Sequence, residues 1–318
     1  MNYPIKRHSF SKGISNSLII IGFFLIGVAV AFLLVPLPLL FIFNISFEAK
    51  ALTEFLQIDT LMESNYGRLV LLYIQGFTAL GGFVLSSYLY LRFFSREKLS
   101  DLSPVPVKGL LVWVLVVVIT LCVMPFTSWL IEWNSKLHFP AFLSELEQWA
   151  LKKEQELQVL TIYLTSFKDL GEFLVGLLVI ALIPAIGEEL LFRGLLQRNF
   201  QGFLNAHIAV WLSAILFSAF HLQFLGFIPR MMLGALFGYL YFWSGNLWTS
   251  VLAHFVNNAF TLSMIYLYHK SLVKFNIMEA GAMSSVWVLV SLLVTVISLY
   301  NFRKIQIKDD IQSSSQKR

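Results

Sequence analysis

The chain is poor in charge and almost without cysteine. Of its 318 residues, 13% are Asp, Glu, Lys or Arg, against about 25% in a soluble domain. No polar stretch is long enough to bury a core of its own, which excludes a separate soluble domain. The single cysteine, Cys122, lies in an apolar run. It permits no intrachain disulfide and excludes metal sites built on four cysteines or on two cysteines and two histidines. HExxH spacing, which would make zinc an easy assignment, is absent. So is any Ser or Cys with an obvious adjacent base, and no internal repeat is visible.

What fills the chain instead is apolar. Hydrophobic residues make up 58% of it, and the mean hydropathy is +0.75. Runs long enough to cross a bilayer recur along the whole length. The expected fold is all-α, a polytopic membrane helical bundle of about eight transmembrane helices. The net charge of +5 gathers at helix ends, where the positive-inside rule places basic residues, and so does not indicate nucleic acid. The expected partners are the lipid bilayer and a membrane-associated protein or peptide. Oligomeric state leaves no mark in the sequence.

In order, residues 1–16 carry Lys6, Arg7 and Lys12 with no acidic residue and read as a cytoplasmic tail. The apolar run after them is too long for a signal-peptide core, so it reads as a retained first helix. Residues 17–170 hold three spans and a polar connection. The first span, 17–45, is ended or bent by Pro36 and Pro38. The second, 69–93, carries Gly76, Gly81 and Gly82, small residues that let helices approach. The third, 109–131, contains Pro125. Between them, Glu48, Lys50, Glu54, Asp59, Glu63 and Arg68 suit an outer connection, and Arg92, Arg96, Lys98 and Lys108 an inner one. In 132–170, Leu146, Trp149, Ala150, Leu157 and Leu160 recur at helical spacing. Either an amphipathic helix on the outer surface or an ordinary solvated helix fits.

Residues 171–268 hold the fourth to seventh spans, at 171–197, 207–227, 230–243 and 247–268; the sixth is short for a full crossing. Residues 269–318 hold the last span, 282–300, and a tail with Arg303, Lys304, Lys308, Lys317 and Arg318. An even number of crossings puts both basic termini on one side. The expectation is a multi-pass cell membrane protein with both termini in the cytoplasm.

Ionisable groups within apolar helices are costly and therefore mark function. The fourth span ends its uncharged run at Glu188, Glu189 and Arg193. Glu189 and Arg193 are four apart, share a helix face and can pair. Glu188 points about 100° away and is free to face a cavity. The competing reading is a single ion-pair network of all three at the cytoplasmic end of the helix. The fifth span holds Phe217 and His221, and the seventh holds His254 and Asn258, four apart and co-facial. Taken singly, each motif reads as hydrogen-bonded glue between helices. Together, Glu188, His221 and the His254/Asn258 pair supply a base for water, a partner for its proton and donors for an oxyanion. The same Glu188, His221 and His254 would form a zinc site of two histidines and one glutamate with an open fourth position. No cofactor is assigned, and a metal-free site is the preferred reading. With equal helix starts, His221 lies about 21 Å along its span and His254 only about 10 Å along its own. A tilt or a later start of the fifth helix would close that gap.

In these three motifs the chain resembles the CPBP family (the Abi, or CAAX-protease-and-bacteriocin-processing, family), which includes the type II CAAX prenyl endopeptidases. A paired glutamate with arginine four after the second matches Glu188, Glu189 and Arg193. Phenylalanine with histidine four on matches Phe217 and His221, and histidine with asparagine four on matches His254 and Asn258. The likeness covers about residues 171–260; residues 1–170 share only hydropathy with the family. It implies an intramembrane endopeptidase in which Glu188 is the general base, His221 its partner, and His254 and Asn258 the oxyanion donors. Glu189, Arg193 and Phe217 would support them. The expected reaction is hydrolysis of a peptide bond near the cytoplasmic side, in a membrane-associated and, by analogy, prenylated CAAX-type substrate. A non-proteolytic membrane scaffold or bacteriocin-immunity protein is the alternative. A transporter is disfavoured, because no paired broken half-helices appear.

Overall fold

A computed structural model describes residues 5–44, 55–107, 109–275, 277 and 284–315, with the backbone alone for 308–315. Glu48, Lys50, Glu54, Lys108, Lys317 and Arg318, and the start of the last expected span at 282, lie outside the described residues, as does the side chain of Lys308. Nine long helices follow one another in the described chain. They are α1 (Phe10–Ile42), α2 (Gly67–Ser95), α3 (Leu110–Ser135), α4 (Ser144–Thr165), α5 (Leu170–Gln201), α6 (Ala206–Ala219), α7 (Phe227–Ser244), α8 (Leu247–His269) and α9 (Ser285–Ser315). No strand occurs among the described residues. Six of the helices, α1, α2, α3, α5, α8 and the Ser285–Ile307 part of α9, are long and apolar enough to cross a membrane. The protein is a polytopic helical bundle. The remaining two expected spans are the shorter α6 and α7.

Local chemistry sets the helix boundaries. Ser9 caps α1 by accepting the Lys12 N–H, satisfying one of the otherwise unpaired first-turn donors. The helix breaks for one residue at Val35 and resumes with Pro36 at its first position, where a missing N–H does no harm. Pro125 lies inside α3, which runs on through it. The expected fifth span ends early. α6 stops at Ala219, and residues 220–226 form a turn instead of more helix. Leu222 in that turn has φ 53°, a left-handed conformation that costs a non-glycine residue about 1–2 kcal/mol. Asn134 of α3 holds the turn in place. Its Nδ2 donates to the carbonyls of Phe224 (2.9 Å) and Leu225 (2.8 Å), and its Oδ1 accepts from the Ile228 N–H.

The bundle has two distinguishable ends. At one, His8 N–H donates to the Gly202 carbonyl, and Glu97 pairs with Lys6. This end gathers the N-terminal segment, the α2–α3 connection and the α5–α6 connection. At the other, Arg68 pairs with Glu172 and donates to the Tyr163 carbonyl at 2.9 Å, and Lys270 reaches the Lys168 carbonyl. α4 lies there, buried only at Ala150, Leu164 and Thr165. It is helical, as its periodicity predicts, and it covers the ends of α2, α5 and α8.

α1 and α2 cross closely because glycine faces alanine. A Cβ on Gly81 would stand 2.5 Å from Ala31 Cβ, well inside van der Waals contact. Overpacking of this kind costs about 1–3 kcal/mol. Gly81→Ala is therefore expected to destabilise the protein by that amount, read as a lower thermal midpoint in detergent. An unchanged midpoint would show that the α1–α2 contact yields freely.

Candidate active site

α5 departs from regular α geometry on both sides of its paired glutamates. Its turns widen to π-helical spacing over Leu177–Leu182 and again over Leu190–Gln197. Such turns recur at functional positions because they re-aim side chains. Between them, Glu188 and Glu189 point to different neighbours, as adjacent helical residues must.

Glu189 is fully buried and accepts two hydrogen bonds at one oxygen. Arg193 Nη1 lies 2.7 Å from Glu189 Oε1, and His254 Nδ1 lies 2.9 Å from it. The expected pair of Glu189 and Arg193 is present, and it extends to a histidine that the spacing did not link to it. Arg193, also at 0% exposure, donates its Nη2 to the Gly234 carbonyl at 2.8 Å. Its guanidinium lies 4.5 Å over the Phe217 ring and 5.6 Å from that of Phe237, a cation–π environment in place of water. Gly234 permits this approach. A Cβ there would stand 3.0 Å from Phe217 Cδ1 and 3.3 Å from the Ala214 backbone. One turn on, Gln197 Nε2 donates to the Gly238 carbonyl at 3.0 Å. Gly234 and Gly238 are four apart, and this small-residue spacing is a signal for helix contact that the motif reading passed over. Phe237, which stacks on His254 at 5.2 Å, carries no such signal.

Glu188 faces the histidines. Its Oε2 lies 3.9 Å from His221 Nε2 and 3.9 Å from His254 Nε2. It is 8% exposed, and this oxygen has no hydrogen-bond partner in the protein. The ring nitrogens can be assigned. His221 Nδ1 is 2.9 Å from the Phe217 carbonyl, which only accepts, so Nδ1 carries a hydrogen. His254 Nδ1 meets the Glu189 carboxylate in the same sense. Each Nε2 is thereby turned to Glu188. Phe217 packs edge-on to both rings, at 5.2 Å from His221 and 5.8 Å from His254.

The depth mismatch is closed not by a later start of the fifth helix, which begins at Ala206, but by where α8 begins. A Cβ on Gly194 would lie 3.8 Å from Leu247 Cδ2, so α8 starts level with Gly194 and not with the end of α5. Val105 and Ser103 hold that start, accepting from Asn246 Nδ2 and the Leu247 N–H. His254 is seven residues along α8 from Leu247, and Glu188 is six back along α5 from Gly194. The two arrive together.

Asn258 is not hydrogen-bonded to this cluster. Its Nδ2 donates to the Ile180 carbonyl of α5 at 3.5 Å, and its Oδ1 accepts from Asn257. As for a metal, no group of three or more His, Cys, Asp and Glu among the described residues is arranged to hold one.

A cavity of about 890 Å³ reaches His221 and Leu222 from the α4 end, walled by Trp149, Leu157 and Leu160 of α4 and by Ile58 and Met62. Trp149 meets Phe224 of the His221 turn edge-on. Burial pushes the Glu154 carboxyl of α4 above its usual range, opposed by a backbone bond from Leu225 and the charge of Arg230. This cavity opens at the end opposite the N-terminal segment.

Fold and site define a multi-pass membrane protein with a buried carboxylate–imidazole centre of the kind that hydrolases use. Residues 170–260, α5 to most of α8, match the family model for the type II CAAX prenyl endopeptidase Rce1-like proteins. The chain is 34% identical over 87 residues to the uncharacterized protein YpbD of Bacillus subtilis (strain 168), covering 26% of this chain and 42% of that protein. No solved structure matches it.

Removing one partner of a fully buried ion pair costs about 3–5 kcal/mol, because the other charge is left uncompensated. Glu189→Ala strips both Arg193 and His254 of their acceptor. It is expected to lower the thermal midpoint sharply and to reduce the yield of folded protein. A midpoint equal to wild type would show that the pair does not hold α5 to α8.

Proposed function

We propose that the protein is an intramembrane endopeptidase that hydrolyses a peptide bond of a membrane-associated protein or peptide by a glutamate-activated water. The observation that carries this reading is the meeting of Glu188 Oε2 with two imidazole nitrogens at 3.9 Å. That separation exceeds a hydrogen bond and suits one bridging water. Glu188 takes a proton from that water as it attacks the scissile carbonyl. His221 relays the proton towards the leaving amine. His254, oriented by Glu189, donates through Nε2 to the developing oxyanion once that nitrogen is protonated. Asn258, one turn further along α8, supplies the second donor by exchanging its long bond to Ile180 for the substrate. Two carboxylates and one guanidinium leave this buried cluster one negative charge, so one proton held among Glu188 and the two imidazoles makes it neutral. Carried at His254 Nε2, that proton supplies the oxyanion donor, while the proton that His221 relays is the separate one taken from water.

Glu188→Gln keeps the shape of the side chain and removes the base. It is expected to lower the rate of cleavage of a responsive peptide by at least about a hundredfold with little change in thermal midpoint. Cleavage at the wild-type rate would overturn the role of Glu188. Binding of the same peptides without cleavage by the wild-type protein would favour a scaffold.

The basic residues at the N-terminal end favour a cytoplasmic position for that end, and the cavity at His221 then faces outward. A prenylated C-terminus in the cytoplasm would require the reverse orientation. In a Cys122→Ser background, a membrane-impermeant maleimide added to intact cells is expected to label Leu222→Cys and not Lys12→Cys. The opposite pattern would reverse the orientation and bring the site to the cytoplasmic face.

A further inference from the structure

A second cavity, of about 580 Å³, lies at the N-terminal end, between the segment before α1 and the ends of α2 and α5. It shares no residue with the Glu188 centre. Lys6, Arg7, Lys12 and Arg198 line it against one carboxylate, Glu97. Glu97 is 3.0 Å from Lys6 and 3.9 Å from Arg198, so four cations against one anion leave an excess of three.

Arg7 and Arg198 are held in place, while Lys6 and Lys12 stay exposed. Arg7 Nη1 donates to the Gln201 carbonyl at 3.3 Å, and the His8 N–H to the Gly202 carbonyl at 3.2 Å. Asn199 Nδ2 donates to the Gly13 carbonyl and Ser17 Oγ, both at 2.8 Å. The segment before α1 and the first turns of α1 are thus tied to the end of α5. The Arg198 side chain is only 12% exposed. His8 adds an unmatched group to the lining. Its Nδ1 is bonded to the Lys6 carbonyl at 3.0 Å, while its Nε2 is buried without a partner. A basic cavity between helix ends at a leaflet surface attracts anionic headgroups. Tyr90 and Phe94 of α2 give it one aromatic wall.

We propose that this cavity binds a phosphate group of net negative charge, as borne by an anionic phospholipid or by free phosphate. The site does not depend on hydrolysis at Glu188, and its test uses no cleavage assay. Full-length protein in phosphatidylcholine nanodiscs is compared with the same protein at rising phosphatidylglycerol content, and separately with inorganic phosphate at constant ionic strength. The expected result is a saturable rise in thermal midpoint, absent in phosphatidylcholine alone. A rise with phosphatidylglycerol only assigns the lipid, one with inorganic phosphate only assigns the soluble ion, and one with both assigns the phosphate group itself. Arg198→Gln and Lys12→Gln are each expected to weaken the apparent affinity about fivefold. Should Arg198→Gln fail to fold, the exposed Lys12→Gln carries the comparison. No rise with either ligand, or a rise undiminished in the folded variants, overturns the proposal.

Discussion

Everything at the centre of this molecule depends on the carboxylate of Glu189. It is fully withdrawn from solvent, and one of its oxygens serves both Arg193 and His254. Through Arg193 it joins α5 to the Gly234 carbonyl of α7, and through His254 it joins α5 to α8. Three helices are therefore tied to one point by charge-assisted bonds in a low-dielectric interior, where such bonds are strong and their loss is severe. The arrangement is not fully satisfied. Glu189 Oε2 and Arg193 Nε have no partner, a desolvation penalty retained for what the pair does. It fixes the His254 ring, and the ring orientation is what turns Nε2 to Glu188.

The division of labour between the adjacent glutamates follows from helix geometry alone, which is why it was legible in the residues. Glu189 and Arg193 stand four apart, and Glu188 faces elsewhere. Phe217 is paired with His221 only through the family resemblance, and the structure adds that His221 returns its Nδ1–H to the Phe217 carbonyl one turn behind it. What was not legible has specific causes. Seven of the eleven residues 217–227 are apolar, so composition gave little sign that α6 would stop at Ala219. The stop is set by Leu222 in a left-handed conformation and by Asn134 on a distant helix. The depth of α8 is likewise set from outside, by Ser103 and Val105 of another connection. The His254–Glu189 bond joins residues 65 apart in sequence, beyond any local pattern. For Asn258 the spacing put it on the face of His254, and its hydrogen bonds go to Ile180 and Asn257.

The family match spans α5 to most of α8, and every group of the carboxylate–imidazole centre lies within it. The wall of the cavity that reaches His221 does not. Trp149, Leu157 and Leu160 belong to α4, and Ile58 and Met62 to the segment before α2. The chemistry and the surface that would meet a substrate thus come from different parts of the chain. α4 is amphipathic, mostly exposed and lightly anchored, so it can differ in sequence and position without disturbing Glu188. A likeness confined to α5–α8 therefore bears on the carboxylate–imidazole centre and not on the cavity wall that α4 supplies.

Charge is distributed unevenly between the two ends of the bundle. The N-terminal end gathers Lys6, Arg7, Lys12 and Arg198 around Glu97. The α4 end mixes signs, with Arg68 on Glu172, Lys136 on Glu132 and Lys153 on Glu156. Only the first is an excess that an anionic leaflet would hold. An orientation bias of this sort acts on whole helices during insertion, whereas the mouth of the cavity at His221 follows from the 220–226 turn. That turn carries His221 to the end opposite the cationic one. The face from which a molecule would reach His221 thus turns on two features of the same chain, the basic N-terminal end and the early stop of α6. α5 runs between the two ends, so neither can be reversed without the other.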